Sequence, residues 1–271
     1  MKTAWSFKSG RQVADRNGLV ARSPRTNGGI LSKNFIYFAT MAGILFFAFV
    51  ATAQTNGPSD AETQGQRLAQ ELCNTHPAQD FTNSGVLKII SGDKHYDVPI
   101  HIFTKIINPH SWEVFLSGGI WEYHIVHTDH ELNEYFDDAE DIVAPLPLTD
   151  VQKNTPFAGS DFWIYDLGLE FLHWPEQKVI KKEFMRGRGC MVLESTNPSP
   201  TPNGYSRVDS WIDEETLGIV HAEAYDKDGK LLKVFDPKSF KKVNGQWELQ
   251  DMEIKNVQTG SRTRIEFDLG K

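Results

Sequence analysis

The sequence predicts a mainly β protein with short helices, in which one N-terminal helix precedes an antiparallel sheet. Three observations support this fold class. Apolar side chains alternate with polar ones along several segments, which is the period of a strand with one buried face. Asp228-Gly229 and Asn244-Gly245 separate such segments, and these pairs favour tight hairpin turns. Consecutive hairpins build an antiparallel sheet with one dry and one wet face.

The first 53 residues differ in composition from the rest of the chain. Residues 1–33 carry seven Lys or Arg and one acidic residue, and residues 35–51 form an apolar run. The sequence Ala51-Thr52-Ala53 then provides the small residues of a cleavage site. A basic region, an apolar region and an A-x-A site together predict a secretory signal peptide, cleaved after Ala53. An uncleaved N-terminal membrane anchor is the alternative.

Residues 54–271 are predicted to form a single domain. The whole chain has a formal charge of −8, and loss of the leader, which contributes +6, would change it to −14. Nucleic-acid binding requires a basic face that displaces counterions from phosphate. The acidic balance therefore argues against a nucleic-acid partner.

The helix is predicted to start at Ser59, because Ser59 and Glu62 have the spacing of a capping box. A sparse apolar stripe with helical spacing follows, formed by Ala61, Leu68, Ala69 and Leu72. Gly65 should weaken this helix by about 1 kcal/mol relative to Ala. The helix should end before Pro77, since the residue preceding a proline avoids the α region.

Strands are predicted from Val86 onward, interrupted by an excursion with little regular structure at residues 137–160. The C-terminal half is predicted to be a meander with strands at about 178–184, 190–195, 205–212, 217–225, 230–243, 246–257 and 261–268. In the sixth of these, Trp247 and Leu249 share one parity, whereas Met252 and Ile254 share the other. This change predicts a β-bulge near Gln250-Asp251.

The sequence contains no P-loop and no G-x-S-x-G nucleophile motif, and no carboxylate pair is singled out by its spacing. His124, His127 and His130 form an H-x-x-H-x-x-H run, but on a strand His127 would face away from the other two. Asp226-Lys227-Asp228-Gly229 lacks the Gly and Glu spacing of a calcium loop and favours a hairpin turn. We therefore predict no catalytic residues, no metal and no cofactor.

The two cysteines, Cys73 and Cys190, leave two alternatives open. In an oxidising compartment a disulfide between them would attach the first helix to the sheet, with a loop-closure effect of up to about 4–5 kcal/mol. The other possibility is a pair of buried free thiols.

Aromatic residues are abundant, with 17 Phe, 7 Trp and 7 Tyr in the chain. Ordinary core packing explains any single one of them. The functional interpretation is that some of them line an apolar cavity or cover it. The candidates for this role are Trp112, Phe115, Trp121, Phe162, Trp163, Phe171, Trp174 and Trp211.

From Phe157 onward the sequence resembles a known family. The segments that carry the resemblance are residues 159–168 (GSDFWIYDLG), 189–194 (GCMVLE), 205–213 (YSRVDSWID), 224–233 (AYDKDGKLLK) and 245–247 (GQW). They resemble the LolA-like outer-membrane lipoprotein-sorting proteins. The match extends over residues 157–268, and the N-terminal helix followed by strands fits the same layout.

The resemblance implies an open, strongly curved antiparallel β-barrel that wraps over short helices. It also implies an exported, periplasmic protein that binds the acyl chains of lipoproteins or lipids. Such a carrier needs no catalytic group, but it needs a movable lid, for which Asp161–Trp174 is the candidate segment. Inner- and outer-membrane transport proteins would be its partners, and we expect it to be a monomer.

Three hypotheses for the function follow from these observations. The first is a periplasmic carrier of lipoproteins or lipids. The second is a binding or sensor module with the same fold that recognises acyl chains without moving them between membranes. The third is a hydrolase without a recognisable motif.

Overall fold

A computed structural model describes residues 58–129, 131–138, 145–243 and 246–269. The predicted signal peptide and its cleavage site lie outside these ranges. The helices are α1 (Asp60–Cys73), α2 (Asp150–Lys153) and α3 (Ile164–Leu167), with 3₁₀ turns at Phe157–Gly159 and Glu170–His173. None of these helices has the length and apolar character needed to span a bilayer.

Thirteen strands within the described ranges form one antiparallel sheet. They are β1 (Phe81–Ser91), β2 (Lys94–Asn108), β3 (Ser111–Gly118), β4 (Trp121–Thr128), β5 (Glu134–Asp137), β6 (Leu146–Pro147), β7 (Glu176–Met185), β8 (Arg188–Thr196), β9 (Tyr205–Asp213), β10 (Ile219–Asp226), β11 (Leu231–Val243), β12 (Gln246–Asn256) and β13 (Arg262–Asp268). The mainly β fold class with an N-terminal helix is confirmed.

The strand order joins two meanders through the first and last strands. It runs β6-β5-β4-β3-β2-β1-β13-β12-β11-β10-β9-β8-β7. β1 therefore lies between β2 and β13, with Leu87 opposite Val98 on one side and Ile265 on the other. Among the described residues β6 and β7 are the two edges, so the sheet does not close into a complete barrel.

The sheet is strongly curved, and the contacts of residues 157–174 demonstrate this. Asp166 bonds to Lys233 of β11 and Tyr205 of β9, whereas Glu170, four residues later, bonds to Tyr135 of β5. Neighbouring strands are about 4.8 Å apart, so β5 and β9 would be roughly 43 Å apart in a flat sheet. Four residues cannot cover that distance. The sheet therefore wraps around this segment, which occupies its concave face.

The predicted start of α1 is confirmed. The Ser59 hydroxyl accepts from the Glu62 backbone N–H, and the Glu62 carboxylate accepts from the Ser59 backbone N–H at 2.7 Å. Leu68 and Ala69 are buried against the main core. Gly65 faces the edge strand β7 so closely that a Cβ atom there would lie 2.4 Å from the backbone nitrogen of Lys178. The glycine that weakens the isolated helix is thus the residue that lets the helix approach the sheet.

The hairpins at β7–β8 and β10–β11 are confirmed, whereas the predicted Asn244-Gly245 turn lies outside the described residues. β7 and β8 are joined by Arg186-Gly187, both with positive φ, as a two-residue hairpin turn requires. At the β10–β11 turn the Asp226 carboxylate accepts from the backbone N–H groups of Asp228 and Lys230, so this loop is a turn. The bulge in β12 is confirmed as well, because Asp251 pairs with Ser239 while Leu249 pairs with Phe240, which leaves Gln250 unpaired.

The excursion predicted at residues 137–160 contains more structure than expected. It begins with the end of β5, and its later part includes β6, α2 and a 3₁₀ turn, whereas residues 139–144 lie outside the described ranges. α2 begins with a second capping box, in which the Thr149 hydroxyl accepts from the Gln152 backbone N–H. Prolines and acids mark this region as irregular, and they conceal short elements such as α2.

Candidate functional site

Residues 157–174, here called the plug, fill the concave face of the sheet. Phe157, Phe162 and Ile164 are each 1% exposed, and all three belong to the main core cluster. The segment contains Asp161–Trp174, which the resemblance marks as a lid. In this structure it is an interior element, packed between the sheet and α1.

The first half of the plug is held to the sheet by two buried carboxylates. The Asp161 carboxylate accepts from the Thr263 hydroxyl at 2.9 Å, and the same hydroxyl accepts from the Asp161 backbone N–H at 2.9 Å. Asp166 accepts from the Tyr205 hydroxyl at 2.8 Å and forms an ion pair with Lys233 at 3.2 Å.

Lys233 is fully buried, a rare position for a lysine. Its Nζ atom lies 3.4 Å from the ring centroid of Trp163, which adds a cation–π contact to the ion pair with Asp166. Burial lowers the pKa of Lys233 to about 8, although Asp166 acts in the opposite direction. Burial also raises the pKa of Asp166, in opposition to the effect of the lysine. The pair is therefore costly to desolvate and depends on both partners.

The second half of the plug is held by neutral groups and by Glu170. The Asn133 amide donates to the Gly168 carbonyl at 2.8 Å, and the Tyr135 hydroxyl donates to the Glu170 carboxylate at 3.1 Å. Gln177 on β7 donates to the carbonyls of Phe171 and Trp174. Polar contacts from both meanders of the sheet thus hold the plug in place.

An apolar cavity of about 160 Å³ lies between the plug and the concave face of the sheet. Its walls come from α1, from the plug and from both meanders of the sheet, here called its two arms (β1–β6 and β7–β13). The apolar residues that line it include Leu72, Phe81, Ile102, Trp112, Leu116, Phe162, Phe171, Ala222, Phe235 and Leu249.

One end of this cavity is polar and is formed by Cys73, Thr75, His127 and His173. The Cys73 Sγ atom lies 3.6 Å from Nε2 of His173. His127 stacks on Trp112 with 5.0 Å between ring centroids. Burial lowers the pKa of His127 to about 3 and also lowers the pKa of His173. Both imidazoles are therefore neutral at pH 7, and together they offer ring N–H donors and nitrogen acceptors.

The eight predicted aromatic residues are distributed over three regions. Trp112, Phe162 and Phe171 line the cavity. Trp163 and Trp174 belong to the plug, where Trp163 stacks on Tyr205 and the Trp174 indole donates to Tyr165. Trp163 thus contacts β9, Trp174 contacts another residue of the plug, and neither lines the cavity.

The remaining three candidates lie away from the cavity. Phe115 stacks on His124 on the outer face of the sheet, because its strand parity is opposite to that of Trp112 and Leu116. Trp121 is 42% exposed at the start of β4. Trp211 belongs to a small cluster on the outer face of β8–β10. Sequence alone does not show which parity faces inward.

Both cysteines are free thiols in this structure. Cys73 lies at the end of α1 and lines the cavity, whereas Cys190 packs with Trp211 in the outer cluster. Met191, the next residue along β8, packs against the main core. Cys190 therefore points to the opposite face of the sheet. The two thiols lie on different faces of the sheet, with Cys190 buried and Cys73 half-buried.

The histidine run does not converge on one point. His127 faces the cavity, His124 stacks on Phe115 at the outer face, and His130 lies outside the described residues. Within the described ranges, no group of three or more His, Cys, Asp or Glu side chains is placed to hold a metal ion.

The buried polar contacts of the plug were missed at the level of sequence. The signal for them is a charged residue at a position that otherwise requires an apolar one. Lys233 has the parity of the core residue Phe235, and Asp166 stands between the apolar residues Ile164 and Leu169. A lone charge on an inward face predicts a buried partner, but it does not identify that partner.

His127 should make the protein less stable in acid. The pKa of His127 is 6.5 in the unfolded chain and about 3 in the folded protein. Between these pH values, His127 is protonated in the unfolded chain but neutral in the folded protein. Stability therefore falls as pH drops from 6.5 toward 3. Between pH 7 and pH 5 the wild type should lose about 1–2 kcal/mol more than His127→Phe, which keeps the stack on Trp112. Urea denaturation at the two pH values measures this, and equal losses would contradict it.

Comparison with known proteins supports the fold described above. One protein-family model, described only as "Uncharacterized protein", matches residues 143–269. No curated protein matches the chain in sequence. The structure of a DUF1329 family protein from Desulfovibrio piger is 21% identical, with a TM-score of 0.65, and the match covers 79% of this chain and 95% of that one.

Two further structures identify the fold. A putative outer membrane lipoprotein-sorting protein domain from Vibrio parahaemolyticus is 18% identical over 78% of this chain and 94% of its own, with a TM-score of 0.65. A LolA superfamily protein from Nitrosomonas europaea is 15% identical over 77% of this chain and 92% of its own, with a TM-score of 0.55. The chain has the LolA-like fold. In this LolA-like chain, the described strands and a plug held by buried polar contacts surround an apolar cavity.

Proposed function

We propose that this LolA-like protein is a periplasmic carrier that binds the acyl chains of lipoproteins or lipids in its apolar cavity. The observation that carries this proposal is the cavity itself, which lies between the plug and the concave sheet and is lined mainly by apolar side chains. The fold is shared with a structure described as a putative outer membrane lipoprotein-sorting protein domain. A carrier of this kind performs no chemistry on its cargo.

Burial of an acyl chain would supply the affinity. Each methylene group transferred from water contributes about 0.8 kcal/mol, so a chain of ordinary length could gain on the order of 10 kcal/mol before the entropic costs of binding. Such a chain needs more room than this cavity alone provides. A cavity of about 160 Å³ is close to the roughly 150 Å³ that accommodates benzene. We therefore propose that the plug moves when an acyl chain enters.

The direct test is native mass spectrometry of the protein purified from the periplasm, followed by lipid extraction. A bound lipid or acylated peptide is expected. Titration of the delipidated protein with a fluorescent acyl probe should give saturable binding. A protein that carries nothing and does not bind the probe would refute the proposal.

Filling the cavity should block binding without harming the fold. Ala222 is buried on β10 and lines the cavity, so Ala222→Leu places new methyl groups in empty space. Cavity filling commonly stabilises a protein by about 0.5–2 kcal/mol. We expect unchanged or increased thermal stability together with a roughly tenfold or greater loss of probe affinity. Equal affinity for wild type and variant would place the binding site elsewhere.

The buried polar contacts of the plug favour a second candidate function. The ion pair between Asp166 and Lys233 and the bonds of Asp161 make plug displacement costly, which would slow cargo release. A module that retains an acylated partner, without moving it between membranes, fits such slow release. Transfer of a labelled lipoprotein from donor to acceptor vesicles separates the two functions. Net transfer supports the carrier, and a stable complex without transfer supports the sensor module.

Export is part of the proposal. We propose that residues 1–53 are a signal peptide removed after Ala53, and that residues 54–271 act in the periplasm as a monomer that meets inner- and outer-membrane transport proteins. The exported protein should then begin at Gln54, which intact-mass measurement detects directly. A full-length chain in the membrane fraction would instead support the uncleaved anchor.

A further inference from the structure

The described lining of the cavity contains carboxyl groups and no cation. Among the described residues that line it, Asp166 and Glu248 are acidic and none is Lys or Arg. Lys233 does not line the cavity. It is fully buried and already engaged by Asp166 and by the ring of Trp163. A ligand in the cavity therefore finds no free positive charge on the described walls.

The polar end of the cavity adds neutral hydrogen-bonding groups and two more carboxylates. His127 and His173 are neutral at pH 7, because burial lowers the pKa of each. Glu170 and Asp129 lie close enough to Cys73 that, after burial itself, they contribute to raising the pKa of its thiol to about 12. Both carboxylates have partners, since Glu170 accepts from Tyr135 and Asp129 bonds to His110, so this end offers hydrogen-bonding groups but no free cation on its described walls.

Asp129 provides a buried hydrogen-bond acceptor at a second, more open pocket. That pocket shares Cys73, Leu172 and His173 with the cavity, and Asp129 forms part of its wall. The Asp129 side chain is 9% exposed, and its Oδ1 atom has no hydrogen-bond partner within the described residues. A buried acceptor that faces a pocket favours a ligand group that donates a hydrogen bond or carries positive charge.

These contacts determine which polar head can accompany an acyl chain. A carboxylate head would lose its hydration and find carboxyl groups but no free cation on the described walls, which is unfavourable. An ester head is neutral, and its carbonyl oxygen can accept a hydrogen bond from an imidazole N–H. We infer that the cavity selects acyl chains in esterified form and rejects free fatty-acid anions. This inference rests on the acyl-binding function proposed above.

Competition binding at pH 8 with ligands of one chain length tests the inference. A neutral fluorescent acyl ester is displaced from the wild-type protein by monododecanoylglycerol, by dodecanoate or by dodecylammonium, each below its micelle concentration. Monododecanoylglycerol is expected to displace the probe at a concentration at least about tenfold lower than that of dodecanoate. Dodecylammonium should also compete better than dodecanoate.

The ammonium ligand separates charge selectivity from simple polarity. Both ionic heads are costly to desolvate, so polarity alone would reject them to a similar extent. A lining that offers acceptors and no free cation disfavours the carboxylate more than the ammonium. Equal competition by the two ions, or stronger competition by dodecanoate, would overturn the inference.

A designed cation at the polar end locates the effect. Thr75 is half-buried and lines the cavity at the end of α1. Thr75→Lys should reduce the preference for the ester over dodecanoate by roughly tenfold, since the new ammonium would neutralise the carboxylate head. Thr75→Gln, which lengthens the side chain without a charge, should keep the wild-type ratio. Equal ratios in the two variants would contradict the assignment of the head to this end.

The possible outcomes separate the inferred selectivity for esters from the proposed acyl-binding function. Tight competition by the ester, together with weaker competition by dodecanoate than by dodecylammonium, supports both. Tight competition by every ligand supports acyl binding and overturns the selectivity. Failure of the fluorescent ester to bind at all overturns both the inference and the proposed function.

Discussion

Replacement of Lys233 with Met should destabilise the protein by about 3–5 kcal/mol, because it leaves the buried Asp166 carboxylate without its cation. Lys233 is fully buried and 3.2 Å from that carboxylate. The Tyr205 hydroxyl and the Trp163 backbone N–H also donate to Asp166, but neither carries a charge. Urea denaturation monitored by tryptophan fluorescence measures the change in the free energy of unfolding.

A double variant tests the reason for this loss. Lys233→Met combined with Asp166→Asn removes both charges. The amide keeps one acceptor oxygen for the Trp163 backbone N–H, and its NH₂ group can donate to the Tyr205 hydroxyl. If the uncompensated carboxylate causes the destabilisation, the double variant is more stable than Lys233→Met alone. A double variant that is destabilised by the sum of the two single effects would show that the charges act independently. The same pair of variants reports on plug movement, since a weakened contact should accelerate release of a bound acyl probe.

Gly65→Ala should destabilise the protein by about 1–3 kcal/mol, although alanine is the better helix former by about 1 kcal/mol. The new Cβ atom would lie 2.4 Å from the backbone nitrogen of Lys178 and 2.5 Å from its Cα atom. Both are backbone atoms of β7, so α1 must move away from the sheet. Thermal unfolding monitored by circular dichroism should show a lower midpoint.

A control on the same helix separates packing from helix propensity. Thr63 is exposed, and Thr63→Ala changes helix propensity in the same direction without a contact to β7. We expect this variant to be as stable as the wild type or slightly more so. If Gly65→Ala also stabilised the protein, the close approach of α1 to β7 would be contradicted.

Much of the fold could be predicted because its signals are local. The capping box at Ser59 depends on residues three apart, and the bulge at Gln250 follows from a change of parity within one strand. The hairpin at Asp226 depends on a carboxylate that bonds to nearby backbone. Each of these contacts joins residues that are close in the sequence, so the local sequence is sufficient to predict it.

The cavity could be predicted only in part. An excess of aromatic residues indicates apolar surface, and Trp112, Phe162 and Phe171 do line the cavity. Phe115 and Trp211 have the same chemistry but face the other side of the sheet. The direction of their side chains depends on which face of the sheet becomes the concave one. That choice is made by curvature and by the plug, which are properties of the whole domain.

By itself the sequence determined the class of the fold, the order of its hairpins and the start of its first helix. Period-two patterning, turn residues and caps act over distances of a few residues, which is why they can be recognised in a single chain. Tertiary structure alone decided that residues 157–174 enter the concave face and that Asp166 meets Lys233, 67 residues away. Only the curved sheet brings such distant side chains together, and it thereby encloses an apolar cavity whose described walls carry carboxylates and no cation.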